Sequence, residues 1–552
     1  MAQVSARRVA ALLLALVLVT AHAEGVGAKL FVSPDGSDGN PGTKERPFRT
    51  LKKALSVVEA SGIITLSEGV YREGDLLVRR GGTPGHPLVI QGAEGQSALV
   101  KGSEEVAGWR PDGDRRWRLD AWTVNSQQLF CDGLPLQQIG ARSPLNARHV
   151  RADTVCLPPI GKDLNDLTPG SFWYDQDGHA LYCMLHDGSD PNKHVMEASV
   201  YDRVLSGWSV SHVTVRNLTL MHCNQTAQGW TNGLLNLGSS HWTIEDCRIE
   251  RADFAGIAGG GDSHAIRRCT IANCGAVGLT LNGSDRAHDW KWRPDREPQN
   301  CLFEDLVLKR NNYRNFCPWW EAGGMKCIPS CRNVTVRRCT VTENYGPGIW
   351  FDGCLGGILI EDNFLSGNRT GIFYEISAPA EGDPYGALVR NNRVTNTVHQ
   401  AIYISASEGC IVEDNTCCGN WADIVLHGMP RQALGRDCPL RNNVVRNNIL
   451  FGGGEMGHLI LYTGEGAAGN VVDGNFYETA PEGAGGARPI LIGLPATERY
   501  DPRPIDLQTL FKETGLEEHG LSGDPMFMDA ANGDFSLRAG SPATGKGWRR
   551  GQ

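Results

Sequence analysis

Residues Asn344–Ser377 read NYGPGIWFDGCLGGILIEDNFLSGNRTGIFYEIS and hold two near-copies of one unit. GIWFD begins at Gly348 and GIFYE at Gly371, 23 residues later, with ILIEDNFLSGN between them. If one copy stacks on the next, Asp352 and Glu375 occupy the same place in adjacent layers.

A short anchor extends the unit along the chain. It appears as IEDC (from Ile244), IRRC (Ile266), FEDL (Phe303), VRRC (Val336), IEDN (Ile360), VRNN (Val389), VEDN (Val412), VRNN (Val445) and VDGN (Val472). The steps are 22, 37, 33, 24, 29, 23, 33 and 27 residues, a base period of one short coil with loops added in the longer steps. Each unit holds two or three short β-branched runs separated by Asn, Gly or Asp, and no helical periodicity intervenes. The pattern predicts an all-β chain built as a parallel β-helix, a solenoid in which each coil's strands pair with those above and below. Asn363, Asn392, Asn415, Asn448 and Asn475 fall at one repeat position and are expected to form a hydrogen-bonded ladder.

One strand recurs after the anchors: GLTLN from Gly278, GMKCI from Gly324, GIWFD, GIFYE, AIYIS from Ala401, DIVLH from Asp423 and HLILY from His458. Side chains alternate faces along a strand. The apolar second and fourth positions belong inside, so the third and fifth face outward. On that outer face the reading collects Asp352 and Glu375 with Lys326, Trp350, Phe373, Tyr403 and His427. Strands of adjacent layers lie about 4.8 Å apart, close enough for one carboxyl to raise the pKa of the other. Aromatic rings beside carboxylates suit a sugar, whose C–H face stacks while its hydroxyls take hydrogen bonds. Carboxyls about 5–5.5 Å apart suit retaining glycoside hydrolysis, with one residue as nucleophile and the other as acid/base. Asp352 and Glu375 are the expected pair. NNYRNFCPWWEAGG (Asn311–Gly324) is a loop at the edge of that face. Trp319, Trp320, Glu321 and Tyr313 either wall a sugar pocket or anchor the loop from within. His399 reaches in from the start of AIYIS or is structural. The segments from His288 to Asn300 and from Ser377 to Tyr385 are placed to close the cleft from either side.

The remaining chain predicts five parts. Residues 1–23 carry Arg7 and Arg8, an apolar run and Ala21-His22-Ala23, the pattern of a secretory signal peptide of the bacterial Sec type. A secreted or periplasmic protein without membrane insertion is the expectation. Residues 24–102 read as an N-terminal cap with a short helix and the first coils, and 103–195 as an inserted antiparallel β-rich domain of sandwich type. Residues 196–500 form the main β-helix, and 501–552 a C-terminal capping segment. Seventeen cysteines suggest disulfides in an exported chain, yet Cys247, Cys269 and Cys339 share one repeat position and fit a buried column better than pairing. A net charge of −9 without a basic block argues against nucleic acid as a partner.

EAGGMK (from Glu321), NYGPGIWFD and GIFYEIS resemble motifs of secreted right-handed parallel β-helix proteins, and among these the β-xylosidases of glycoside hydrolase family 120. The resemblance implies a right-handed helix with an inserted sandwich-like domain, an aspartate nucleophile at Asp352 and a glutamate acid/base at Glu375. It also implies an exo-acting retaining hydrolase of plant- or algal-type oligosaccharides. Two other readings stay open. A polysaccharide lyase would use Lys326 as base and often calcium, and a non-catalytic carbohydrate-binding protein would use the coils as a scaffold alone. No third acidic residue stands in the outward columns. No EF-hand or His/Cys metal spacing occurs, so no cofactor is expected to be required, while structural calcium remains compatible. Oligomeric state is not readable from a solenoid flank.

Overall fold

The computed structural model describes residues 27–140, 159–225, 233–285, 291–292, 296–433, 435–453, 456–462, 467–478, 490–493 and 503–550. The signal-peptide reading and part of the segment from His288 to Asn300 fall outside these residues. Among them the chain forms three sheets of thirteen strands each, and within every sheet the strands follow one another in chain order. Pairing between successive coils is parallel throughout the first and second sheets. In the third sheet it is parallel up to the final pair, where Ile490–Gly493 meets Arg503–Ile505 antiparallel. This is the expected parallel β-helix.

The nine anchors lie in the first sheet and face one another in unbroken register, from Ile244 opposite Ile266 through to Val445 opposite Val472. In the coils expected ahead of the anchors, the same column continues downward through Val215, Ile90 and Ile64. These positions point inward and are fully buried, in one core that runs the length of the stack.

Each coil then turns through one residue in the left-handed region. Asn217, Asp246, Arg268, Asp305, Arg338, Asp362, Asn391, Asp414 and Asn447 have φ between 53° and 58°. That conformation disfavours side chains other than Asn, Asp and Gly, which explains the Asp and Asn of the anchors, while Arg268 and Arg338 occupy it without that help. The next residue turns inward and builds a column whose chemistry changes along the stack. In the lower coils it holds Cys247, Cys269 and Cys339, whose thiols donate to main-chain carbonyls; Cys247 Sγ lies 3.2 Å from the Glu245 oxygen. From Asn363 upward it is the asparagine ladder. Asn392 Oδ1 accepts from the main-chain N of Asn363 at 3.0 Å and from its Nδ2 at 2.9 Å, while Asn392 Nδ2 donates to Ile360 O and Asn415 Oδ1. The ladder ends at Glu517, which accepts from Asn475. All cysteines among the described residues are free.

The outer face of the first sheet carries a second ladder, of opposite charges. Arg216, Glu245, Arg267, Glu304, Arg337, Glu361, Arg390, Glu413, Arg446 and Asp473 alternate in sign in consecutive register. Ion pairs such as Arg390 to Glu361 at 2.7 Å and Arg446 to Glu413 at 2.7 Å join them.

The insertion interrupts the chain without interrupting the stack. Leu76–Val78, Leu88–Gly92 and Ala98–Lys101 before it pair directly with Leu205–Gly207, Ser211–Arg216 and Thr219–Met221 after it. Between them, two small and mainly antiparallel sheets close on a core of their own that includes Trp109, Leu129, Phe172, Leu181 and Met196. Ahead of the first coils, Thr50 caps the Leu51–Val57 helix, which buries Leu51, Ala54 and Leu55. At the other end Leu507–Thr514 is helical, a hairpin joins Phe527–Asp529 to Asp534–Leu537, and Trp548 and Arg549 bond back to Thr416 and Asn391.

The two ladders differ in burial, and so in consequence. Asn392→Ala strips buried partners from Asn363, Ile360 and Asn415 and is expected to destabilise the chain by about 3–5 kcal/mol. Arg390→Ala opens a solvent-exposed ion pair and is expected to cost about 1 kcal/mol or less. Denaturant midpoints of the two variants check the ordering.

Candidate active site

Five consecutive strands of the third sheet position the outward group: Gly323–Ile328, Pro347–Asp352, Thr370–Glu375, Gln400–Ser405 and Ala422–His427. Their inward residues, Met325, Ile349, Phe351, Ile372, Tyr374 and Ile402 among them, belong to the main core. The layers approach closely where the motif begins. A Cβ at Gly324 would lie 2.3 Å from the Gly348 carbonyl oxygen, and one at Gly371 2.4 Å from that of Ala401. Lys326 stands opposite Trp350, Trp350 opposite Phe373, Phe373 opposite Tyr403, and Asp352 directly opposite Glu375. The outward face is covered rather than open: Lys326 is 2% exposed, Trp350 1% and Glu375 8%.

Lys326 Nζ lies 3.0 Å from Asp352 Oδ2 and 3.4 Å from the centroid of the Trp350 ring, and donates to the Trp320 carbonyl at 2.8 Å. Trp350 Nε1 donates to Glu375 Oε1 at 3.0 Å. Burial, followed by the charge of Asp352, pushes the Glu375 carboxyl up to about 7, against the pull of Lys326, Arg431 and the Trp350 N–H. The two carboxyls are thus unlike: Asp352 faces an ammonium, and Glu375 keeps its proton toward neutral pH. Two neighbouring carboxyls in such different surroundings are chemically distinguishable.

A third carboxyl enters from the loop, outside the columns read from sequence. Glu321 is 3% exposed, and its Oε1 accepts from Thr280 Oγ1 at 3.2 Å. Thr280 stands opposite Lys326 in the neighbouring coil. Burial pushes Glu321 up to about 8, with Lys326 and the Thr280 hydroxyl opposing, and its Oε2 is buried without a hydrogen-bond partner.

The aromatic residues form a continuous stack up the same face. Trp350 and Phe373 lie 5.2 Å apart at 20°, Phe373 and Tyr403 4.7 Å apart at 7°, and the Tyr403 hydroxyl meets His427 Nδ1 at 2.7 Å. Trp319 packs edge-on to Phe373 and against His399, which in turn meets Trp421. Trp319 and Trp320 are 44% and 45% exposed, so they wall the face and do not anchor the loop from within. Tyr313 does not join the group. It is buried at the foot of the loop, where its hydroxyl accepts from Gln128 of the insertion, beside the Arg314–Asp253 ion pair. Sequence parity missed Arg431, which follows His427 in a loop that strand alternation does not order; the Trp421 that precedes its strand was missed likewise.

Metal-ligand chemistry appears elsewhere. In the insertion, donor atoms of Cys131, Asp132 and His194 lie within 4.8 Å of one another. His194 is 62 positions from Asp132, so no local spacing announces the group. A thiol and an imidazole suit a softer ion than calcium. Both imidazole nitrogens are engaged, Nδ1 with Asp132 at 2.7 Å and Nε2 with Ser189 at 2.8 Å.

A buried carboxyl with a raised pKa favours the folded chain while it holds its proton. That contribution is full below about 4.5 and is lost as pH rises through about 7 for Glu375 and about 8 for Glu321. Glu375→Gln and Glu321→Gln are therefore expected to melt progressively above the native chain as pH rises from 5 to about 7 and about 8 respectively, with the difference levelling off by pH 9. Thermal unfolding midpoints across that range check the trend.

Residues 204–288, 298–417 and 330–486 match the family described as right handed beta helix region, and residues 34–75 match one described as protein of unknown function (DUF1565). The uncharacterized protein YwoF of Bacillus subtilis (strain 168) is 24% identical over 544 residues, covering 95% of this chain and 93% of that protein. Pectate lyase PEL9 of Emericella nidulans is 33% identical over 90 residues, 16% of this chain and 22% of that one. Among solved structures, XylC in complex with xylose superposes with a TM-score of 0.62 at 17% identity, covering 86% of this chain and 87% of that one. The fold is a right-handed parallel β-helix with an inserted antiparallel region.

Proposed function

We propose that the protein is a carbohydrate-acting enzyme, and specifically a glycoside hydrolase that works with retention. Asp352 attacks the anomeric carbon while Glu375 protonates the leaving oxygen; Glu375 then takes a proton from the water that releases the sugar. The observation that carries this reading is the direct cross-strand pairing of Asp352 with Glu375, one facing Lys326 and the other shifted up to about 7. Trp350, Phe373 and Tyr403 cover one another's ring faces, so the aromatic surface offered to the sugar is that of the exposed Trp319 and Trp320, with Glu321, His399 and His427 bordering it. An exo-acting, β-xylosidase-like specificity is the first to test, from the resemblance of the motifs and the likeness of fold to XylC.

Eliminative cleavage of a uronate polymer is the second reading, favoured by the local likeness to pectate lyase PEL9. Against it, Lys326 is buried in an ion pair with Asp352 and so poorly placed as a free base.

Asp352→Gly is expected to lower turnover of aryl glycosides by roughly a thousandfold or more, with partial rescue by azide yielding the glycosyl azide of inverted configuration. Glu375→Ala should keep activity mainly on substrates with good leaving groups. The alkaline limb of kcat/KM should fall near pH 7 and follow Glu375. A product with ultraviolet absorbance from a new double bond, formed by Asp352→Gly as readily as by the native chain, would replace this reading with the lyase.

A further inference from the structure

A cleft of about 1190 Å³ lies between the loops that follow the strands of Glu375 and His427. One side is the segment from Ala378 to Glu381, which begins three residues beyond Glu375; the other is the hairpin region from Met429 to Arg441, which follows the strand of His427. The acid that protonates a leaving oxygen stands on the side where the leaving group departs, so the space beyond Glu375 is where that part of a substrate would lie.

The charges lining the cleft are three of each sign, and their partners separate them. Arg441 is paired to Glu408 at 2.9 Å, Asp437 accepts from Gln432 at 2.7 Å, and Arg436 donates to the main-chain oxygen of Ala378 at 3.0 Å. Glu381 is exposed to solvent. The Arg431 carbonyl accepts from the Cys438 main chain at 2.9 Å, but its guanidinium makes only a long contact to Met429 Sδ, at 3.6 Å, and among the described residues no carboxylate lies within ion-pair distance of it. Its charge nonetheless reaches Glu375.

We propose that this cleft receives the departing part of the substrate and that Arg431 binds an acidic group on it, the ligand class being oligosaccharides that carry a carboxylate, as a uronic acid residue does. An exposed guanidinium without a carboxylate partner, at the edge of a cleft wide enough for a sugar chain, matches a carboxylate bidentately. The step order rests on the glycosidase reading above; the binding does not.

The same contact acts on the reaction. Glu375 is faced by Asp352 and Trp350 from the preceding coil, by Lys326 from the coil before that, by Arg431 from the hairpin, and on the following coils by Ser405 and His427. A carboxylate bound to Arg431 cancels that residue's pull on Glu375, which keeps its proton until the C–O bond breaks. That proton passes to the leaving oxygen as Asp352 bonds to the anomeric carbon. Once the acidic fragment departs, the field of Arg431 returns and favours the ionised Glu375 that must accept a proton from water.

Calorimetric titration of the native chain with trigalacturonate and with xylotriose tests the site. Trigalacturonate is expected to bind roughly tenfold tighter or more, a preference lost in Arg431→Gln and partly kept in Arg431→Lys. In turnover, the alkaline limb for a meta-carboxyphenyl glycoside should lie above that for its neutral meta-carbamoylphenyl counterpart, and the two should coincide in Arg431→Gln. Equal binding of the two trisaccharides by the native chain, or an unchanged preference in Arg431→Gln, overturns the proposal. Arg431-dependent binding together with an active Asp352→Gly variant would uphold this site and reject the glycosidase reading.

Discussion

Everything in this molecule depends on parallel register between coils. A strand pair in register sets Asp352 against Glu375, and a slip of either strand by one residue would turn its carboxyl into the core and expose Phe351 or Tyr374 in its place. The register is held from inside. Each asparagine of the ladder hydrogen-bonds both the main chain and the side chain of its neighbour, in a space sealed from water, so a displaced coil leaves several polar groups unpaired at once. The apolar columns alone tolerate more error than this, because one branched aliphatic residue replaces another at modest cost.

The site is assembled on the same frame but by a different balance of forces. The outward face of a solenoid is ordinarily solvated, and charges there cost little. Here Lys326, held by the Trp320 carbonyl, and Glu375 are buried on that face, and desolvation outweighs Coulomb attraction for Glu375 and Glu321. Lys326 is the hinge of this balance. It stands beside Asp352 and the Trp350 ring, and its charge is felt by Glu375 and Glu321. The insertion contributes at a distance: Gln128 and Gln127 hold Tyr313 and Arg314, the foot of the loop that carries Trp319, Trp320 and Glu321.

The strands and their parity were legible in the sequence because alternation and a recurring anchor are local signals. Val336, Ile360 and Val389 could be aligned by eye, and with them came the pairing of Asp352 with Glu375. Loops carry no such signal. Tyr313 and Glu321 lie eight positions apart in one loop, yet one packs against the insertion and the other against Thr280 and Lys326. Arg431 reaches Glu375 from 56 positions away through a hairpin whose path no periodicity dictates. Cys131 and His194 meet only because two antiparallel strands bring them together. One further signal was present and unread: the alternation of Glu and Arg in the anchors themselves.

That alternation has a consequence for how the stack can change over time. Each coil carries the sign opposite to its neighbours, from Arg216 through Asp473. Losing or duplicating a single coil would set Arg against Arg or Glu against Glu at the seam, whereas losing or duplicating two would preserve the order. The charged column therefore acts as a parity rule on the chain's ancestry: a helix of this kind grows and shrinks most easily by even numbers of turns.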